Sequence, residues 1–136
     1  KSELVVGSTG AVQDCEISFL CVPTPQGDDG AADLSYVQAT SEEISASLPF
    51  GAIVVNKSTV PVGSTKVVER SLQRPDISVV SNPEFLREGS AVHDFLHPDR
   101  VVIGSDDRQA ALKVASIYDA LSAKIIITDP ASAETI

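Results

Sequence analysis

Apolar positions along this chain fall into short unbroken runs, and between the runs they recur with a helical period. The runs are Ile17-Ser18-Phe19-Leu20-Cys21-Val22, residues 52–55, 77–80 and 100–103, and Lys124–Thr128. Each is too short for a helix and is bounded by Pro, Gly, Asn or Asp, which reads as a strand buried on both faces. Pro23 and Pro25 close the first. A helix is predicted from an Asp33 cap to about Leu48, with Leu34, Val37, Ile44 and Leu48 on one side. Further helices are predicted over Ser64–Leu72 and over about 108–121, with another starting at Ser132 and an edge strand at 4–6.

Apolar strands alternating with helices imply parallel βαβ units. The expected fold is therefore a Rossmann-like three-layer α/β architecture around one parallel sheet, the second half of a dinucleotide-binding domain. No linker, repeat or low-complexity tract divides residues 1–136, so a single partial domain is expected.

Composition narrows the partners. The chain has 136 residues, 43% of them hydrophobic, and carries 19 acidic against 10 basic side chains, a net charge of −9. That balance argues against nucleic acid, whose backbone needs a basic face. No apolar run approaches the roughly 18 residues of a membrane span. Cys15 and Cys21 have no His or Cys partner at metal-ligand spacing, so no metal is expected. Apolar neighbours favour buried free thiols, as suits a reducing cytoplasm. The chain holds no Met and begins at Lys1, which reads as a segment of a longer protein.

In an open parallel sheet, ligands bind beyond the carboxyl ends of the strands. Three segments should converge there. The first is Val22-Pro23-Thr24-Pro25-Gln26, where flanking prolines either end the strand or stiffen a shelf that presents Thr24. The second runs from Asn56 through Lys57, Ser58, Thr59 and Val60 to Gly63 and Ser64. Its helix start could hold an anion or be capped by Ser64 or Thr65. Lys57 reads as solvated, or as a partner for a carboxylate. The third, Asn82-Pro83-Glu84-Phe85-Leu86-Arg87-Glu88-Gly89, places Glu84 and Glu88 four apart. On a helical turn they would share a face, and burial would raise a carboxylate toward general-base use. The plainer reading is two solvated acids complementing a helix start. His93 and His97 lack a third ligand, Asp28 and Asp29 read as solvated, and Asp99 and Arg100 are expected to pair locally.

The strings Cys21-Val-Pro-Thr-Pro25, Lys57-Ser-Thr-Val-Pro-Val-Gly63 and Asn82-Pro-Glu-Phe-Leu-Arg-Glu-Gly89 resemble the UDP-glucose 6-dehydrogenase family. Asp94-Phe95 followed by Pro98-Asp-Arg-Val-Val-Ile-Gly104 is similar too, and the resemblance covers essentially the whole chain. It implies an NAD-dependent oxidoreductase that converts UDP-glucose to UDP-glucuronate by two hydride transfers at C6, through a thiohemiacetal and a thioester on a cysteine. A sister enzyme acting on GDP-mannose or UDP-N-acetylmannosamine, or a non-catalytic nucleotide-binding module, are the alternatives.

By the same resemblance, Val22, Pro23, Thr24, Pro25, Gln26, Ser58, Thr59, Val60 and Glu88 contact NAD. Glu84, Phe85, Leu86, Arg87 and Glu88 line the sugar-nucleotide site, and Glu84 and Thr59 serve catalysis. The parent enzyme would be a homodimer or larger homo-oligomer. Neither Cys15 nor Cys21 matches the family's nucleophile, and its glycine-rich start has no counterpart in this sequence. The chain alone is expected to be inactive.

Overall fold

Five strands pair in chain order, β1 (Ile17–Leu20), β2 (Ile53–Asn56), β3 (Ser78–Ser81), β4 (Arg100–Gly104) and β5 (Lys124–Thr128). Between them lie α1 (Ser35–Ser45), α2 (Ser64–Leu72), α3 (Ala91–Leu96) and α4 (Arg108–Ser116), and α5 (Pro130–Thr135) follows β5. This computed structural model describes residues 9–27, 30–87 and 89–136. The edge strand expected at 4–6, and Asp28, Asp29 and Glu88, lie outside the described residues. Among those described, no helix is long and apolar enough to cross a membrane.

β2, β3 and β4 read as unbroken apolar runs because both sheet faces are covered there. Phe19 of β1 and Ile127 of β5, expected buried on both faces, stay exposed because they lie on the sheet's edges. Val54 and Val79 join Val37, Ile44, Val68 and Leu72 under α1 and α2. Their chain neighbours Ile53, Val55 and Val80 point the other way, onto Val114 and Ala111 of α4. Burying each such valine is worth roughly 1.5–3 kcal/mol, which sets the register firmly. Helix α5 packs so closely on β4 that a Cβ on Gly104 would lie 2.5 Å from that of Ala133.

Strands β1, β2 and β3 run parallel, with Ile17 opposite Ile53 and Ile53 opposite Ser78. The expectation of five parallel strands fails at β4, which meets β3 antiparallel through Ser81 and Gly104, while β5 is parallel to β4. The physical reason is the connection. A parallel return needs a crossover helix, and α3 is a six-residue helix with no buried residue. It stays at the carboxyl edge, so the chain re-enters the sheet from that side. With the last residues of β3 and β4 facing each other, the start of β4 overruns β3 by about 13 Å at ~3.3 Å per residue. That overhang makes a wall.

Helix ends differ from expectation in small ways. α1 begins after Leu34 and stops at Ser45, with Asp33 accepting the Ser35 N–H at 2.9 Å. α4 ends at Ser116 and gives way to turns through Leu121. α5 starts two residues early because Asp129 caps it and Pro130 suits its first position.

Candidate functional site

The three segments singled out in the sequence leave the same edge of the sheet, since β1, β2 and β3 are parallel. Two hydroxyls stitch the first to the second. Ser58, buried, donates to the Val22 carbonyl at 2.7 Å, and Thr24 donates to the Thr59 carbonyl at 2.8 Å. Both side chains therefore shape the turn, and the Thr59 side chain is left exposed on it. Pro23, Pro25 and Gln26 are exposed, Val22 and Val60 half-buried. Gln26 folds back through its Nε2, donating to the Gly30 carbonyl at 3.1 Å.

The anion offered a place at the start of α2 comes from the chain itself. Glu134 of α5 accepts the Gly63 N–H at 2.6 Å, the Thr65 N–H at 2.7 Å and the Thr65 hydroxyl at 2.6 Å. The cap is thus neither Ser64 nor Thr65, because Ser64 donates instead to the Pro61 carbonyl at 2.6 Å.

The third segment departs from expectation more. Residues 82–87 are irregular, not helical, so Glu84 does not sit on a helical turn. Glu84, Phe85, Leu86 and Arg87 are all exposed, which removes the burial argument for Glu84. They instead form one wall of a cavity of about 430 Å³, whose opposite wall is the overhanging start of β4. Arg100 lies over the Phe85 ring, 5.8 Å from its centroid, rather than pairing with Asp99.

Arg87 is held by Asp94 of α3 at 2.8 Å, and Ser90 donates to the same carboxylate at 2.9 Å. The Arg87 guanidinium keeps the Asp94 carboxyl well below the usual range. His93 and His97 stand at the rim, their rings 4.9 Å apart.

Lys57 joins the two halves. It follows β2 yet lines the cavity, half-buried rather than solvated, and its Nζ donates to the Asn82 carbonyl at 3.3 Å. Burial pushes its ammonium pKa down, and the facing Glu84 carboxylate and Cys21 thiol oppose that. Cys21, expected buried, is exposed at the residue level, although partial burial of the thiol still pushes it up. Cys15 is half-buried, and both cysteines are free.

Sequence reasoning passed over Asn82, Tyr118 and Glu134. Asn82 is buried. Its Nδ2 donates to the Val102 carbonyl at 2.8 Å, and its Oδ1 accepts the Tyr118 hydroxyl. Burial pushes the Tyr118 phenol up to about 12. The available signal was the position of Asn82 at a strand end beside proline.

Residues 3–122 match the profile of the UDP-glucose/GDP-mannose dehydrogenase family, NAD binding domain. The chain belongs to this family. It is 50% identical over 113 residues to the UDP-glucose 6-dehydrogenase of Pseudomonas aeruginosa, covering 77% of the chain and 25% of that protein. It is 43% identical over 131 residues to UDP-glucose 6-dehydrogenase TuaD of Bacillus subtilis, covering 93% of the chain and 28% of that protein.

Among solved structures, a UDP-glucose dehydrogenase from Pyrobaculum islandicum superposes with a TM-score of 0.87 at 41% identity, over 96% of the chain and 32% of the other. A GDP-mannose dehydrogenase from Pseudomonas aeruginosa gives 0.84 at 34%, over 93% and 32%. The chain thus spans about a quarter to a third of the length of these relatives.

Proposed function

We propose that this chain is the second half of the NAD-binding domain of an enzyme that oxidises UDP-glucose at C6 to UDP-glucuronate. One observation carries the reading. The Thr24 shelf and the Thr59 turn are bonded to each other at the sheet edge that Glu84 also leaves, with Lys57 between them and the cavity. Oxidation of an alcohol needs a hydride acceptor on one side of the reacting carbon and a proton-handling group on the other. The paired turns and the cavity wall provide two such sides.

The residues fit a dinucleotide held along this edge. Val22 to Gln26 and Ser58 to Val60 form a rigid shelf, since both internal hydroxyls are spent on carbonyls. When bound there, NAD accepts the hydride. Its pyrophosphate has no place at the start of α2, which Glu134 fills. A glycine-rich turn elsewhere in the parent protein supplies that cradle. Thr59 and Glu84 handle water and protons near the reacting carbon, Glu84 to Glu88 line the sugar nucleotide, and Glu88 adds a cofactor contact.

The free cysteines suit the cytoplasm, and the parent protein assembles as a homodimer or larger homo-oligomer. The higher identity to the Pyrobaculum UDP-glucose enzyme than to the GDP-mannose enzyme favours glucose as the sugar. The test is NADH formation by the full-length parent with UDP-glucose, GDP-mannose and UDP-N-acetylmannosamine. UDP-glucose should turn over fastest. Preference for another sugar would move the assignment to a sister enzyme, and no turnover with any would leave a non-catalytic module.

A further inference from the structure

Glu84 has an unusual support for a residue given a proton-handling role. Its side chain is exposed and has no hydrogen-bond partner among the described residues, so its place is set through the backbone. Two residues earlier stands Asn82, 1% exposed, with every polar group engaged by a different part of the fold. Its N–H donates to the Asn56 carbonyl at the end of β2 at 3.0 Å, and its Nδ2 to the Val102 carbonyl of β4 at 2.8 Å. Its Oδ1 accepts from Tyr118 in the turn after α4, and its carbonyl accepts from Lys57 at 3.3 Å. Pro83 then fixes φ between this anchor and Glu84.

We propose that Lys57 and Tyr118 are positioning residues that clamp Asn82 from two sides and thereby hold the Glu84 carboxylate at the cavity wall. The inference rests on the UDP-glucose dehydrogenase reading above and deepens it.

Lys57 is the member whose presence needs a reason. Taking an ammonium partly out of water costs free energy, and a carbonyl returns only part of it. An apolar side chain of the same length would suit that place at least as well for stability. The other cations of the cavity have their own partners, Arg87 on Asp94 and Arg100 on the Phe85 ring. Lys57 faces Glu84 from the turn after β2, with Cys21 on the shelf after β1 and Tyr118 across Asn82 as the remaining titratable neighbours. It therefore both pins the Asn82 carbonyl and keeps a positive charge opposite the carboxylate.

Stability and turnover should then move in opposite directions, which a merely structural residue would not produce. In the full-length parent, Lys57→Met should lower kcat by about 10²-fold through misplacement of Glu84. KM for NAD and for UDP-glucose should change little, and the melting temperature should stay level or rise. Lys57→Arg should recover most of the rate. Combined with Glu84→Gln, Lys57→Met should add almost no further loss, because both act through one carboxylate. Tyr118→Phe releases Asn82 from its other side without removing a charge. It should show the same non-additivity, and it carries the test if Lys57→Met does not fold.

A wild-type kcat in Lys57→Met, or fully additive losses with Glu84→Gln, overturns the clamp while leaving the enzyme reading intact. A wild-type parent that reduces no NAD with UDP-glucose overturns the reading, and the clamp with it.

Discussion

The Glu134 carboxylate closes the start of α2 by accepting from both the backbone N–H and the hydroxyl of Thr65, at 2.7 and 2.6 Å, across 69 residues of chain. The helix N-terminus offers exposed N–H groups and a partial positive charge, and a carboxylate there is stabilised by both. The consequence is tertiary. α5 is tied to the turn that carries Thr59, at the edge where the shelf and the cavity meet.

Glu134→Ala should therefore destabilise the chain by about 2–3 kcal/mol, combining a lost cap with hydrogen bonds to a charged acceptor. Glu134→Gln, which keeps the shape but turns one acceptor into a donor, should cost about half as much. Denaturant unfolding of the three proteins measures this. A change within ~0.5 kcal/mol for the alanine variant would place the Glu134 contact among ordinary surface contacts.

Tyr118 gives an alkaline signature. Its folded pKa, raised by burial and by the negative groups at Cys21 and Glu84, is about 12, against roughly 10 unfolded. Below about pH 10 both states keep the phenol proton, so its contribution to stability is fully present. Between about 10 and 12 the unfolded chain has released the proton and the folded chain has not. The unfolded state then binds fewer protons, and stability falls as pH rises. The stability difference between wild type and Tyr118→Phe should shrink across that window. An unchanged difference would mean that the Tyr118 phenol is not held in the fold.

The sheet was legible in the sequence because burial on both faces makes a strand a continuous apolar run, and Ser64–Leu72 appeared at its observed bounds. Strand direction was not legible. Nothing in Arg100-Val-Val-Ile-Gly104 encodes which way it runs, and the deciding element, α3, leaves its apolar positions Val92, Phe95 and Leu96 exposed, which their spacing does not reveal. The three loops were located by their position after the strands. Asn82 and Tyr118 were missed because their bond joins residues 36 apart, and Tyr118 reads locally as one more apolar position. Glu134 was missed for the same reason, since a cap supplied from a distant helix leaves no local spacing.

The 136-residue chain by itself should neither oxidise UDP-glucose nor bind NAD tightly. The first N–H groups of α1, α2, α4 and α5 each already meet a carboxylate of the chain, from Asp33, Glu134, Asp107 and Asp129. No helix start among these is free for a phosphate. Calorimetry with NAD should show binding weaker than about 1 μM. Tighter binding would mean that these 136 residues hold the pyrophosphate without help.

The sharpest test of the site falls on Glu84 and Glu88 in the full-length parent. Glu84 is outside any helix, so the view that it only complements a helix start does not apply to it. It stands exposed on a cavity wall beside Lys57, Asn82 and the start of β4, where a bound sugar nucleotide would exclude water. A carboxylate in that place can take a proton from water attacking a thioester, or give one back. General acid–base help of this kind is worth roughly 10²–10⁴-fold in rate. Glu84→Gln should therefore keep its fold and its NAD affinity, lose kcat by about that factor, and accumulate a covalent acyl-enzyme. Glu88→Gln should raise KM for cofactor and substrate more than it lowers kcat, as expected for a contact made equally in ground and transition states. Steady-state kinetics, intact-protein mass and melting temperature on both variants separate the two roles. Normal turnover by Glu84→Gln would remove the carboxylate from the chemistry and leave the cavity wall as a binding surface alone.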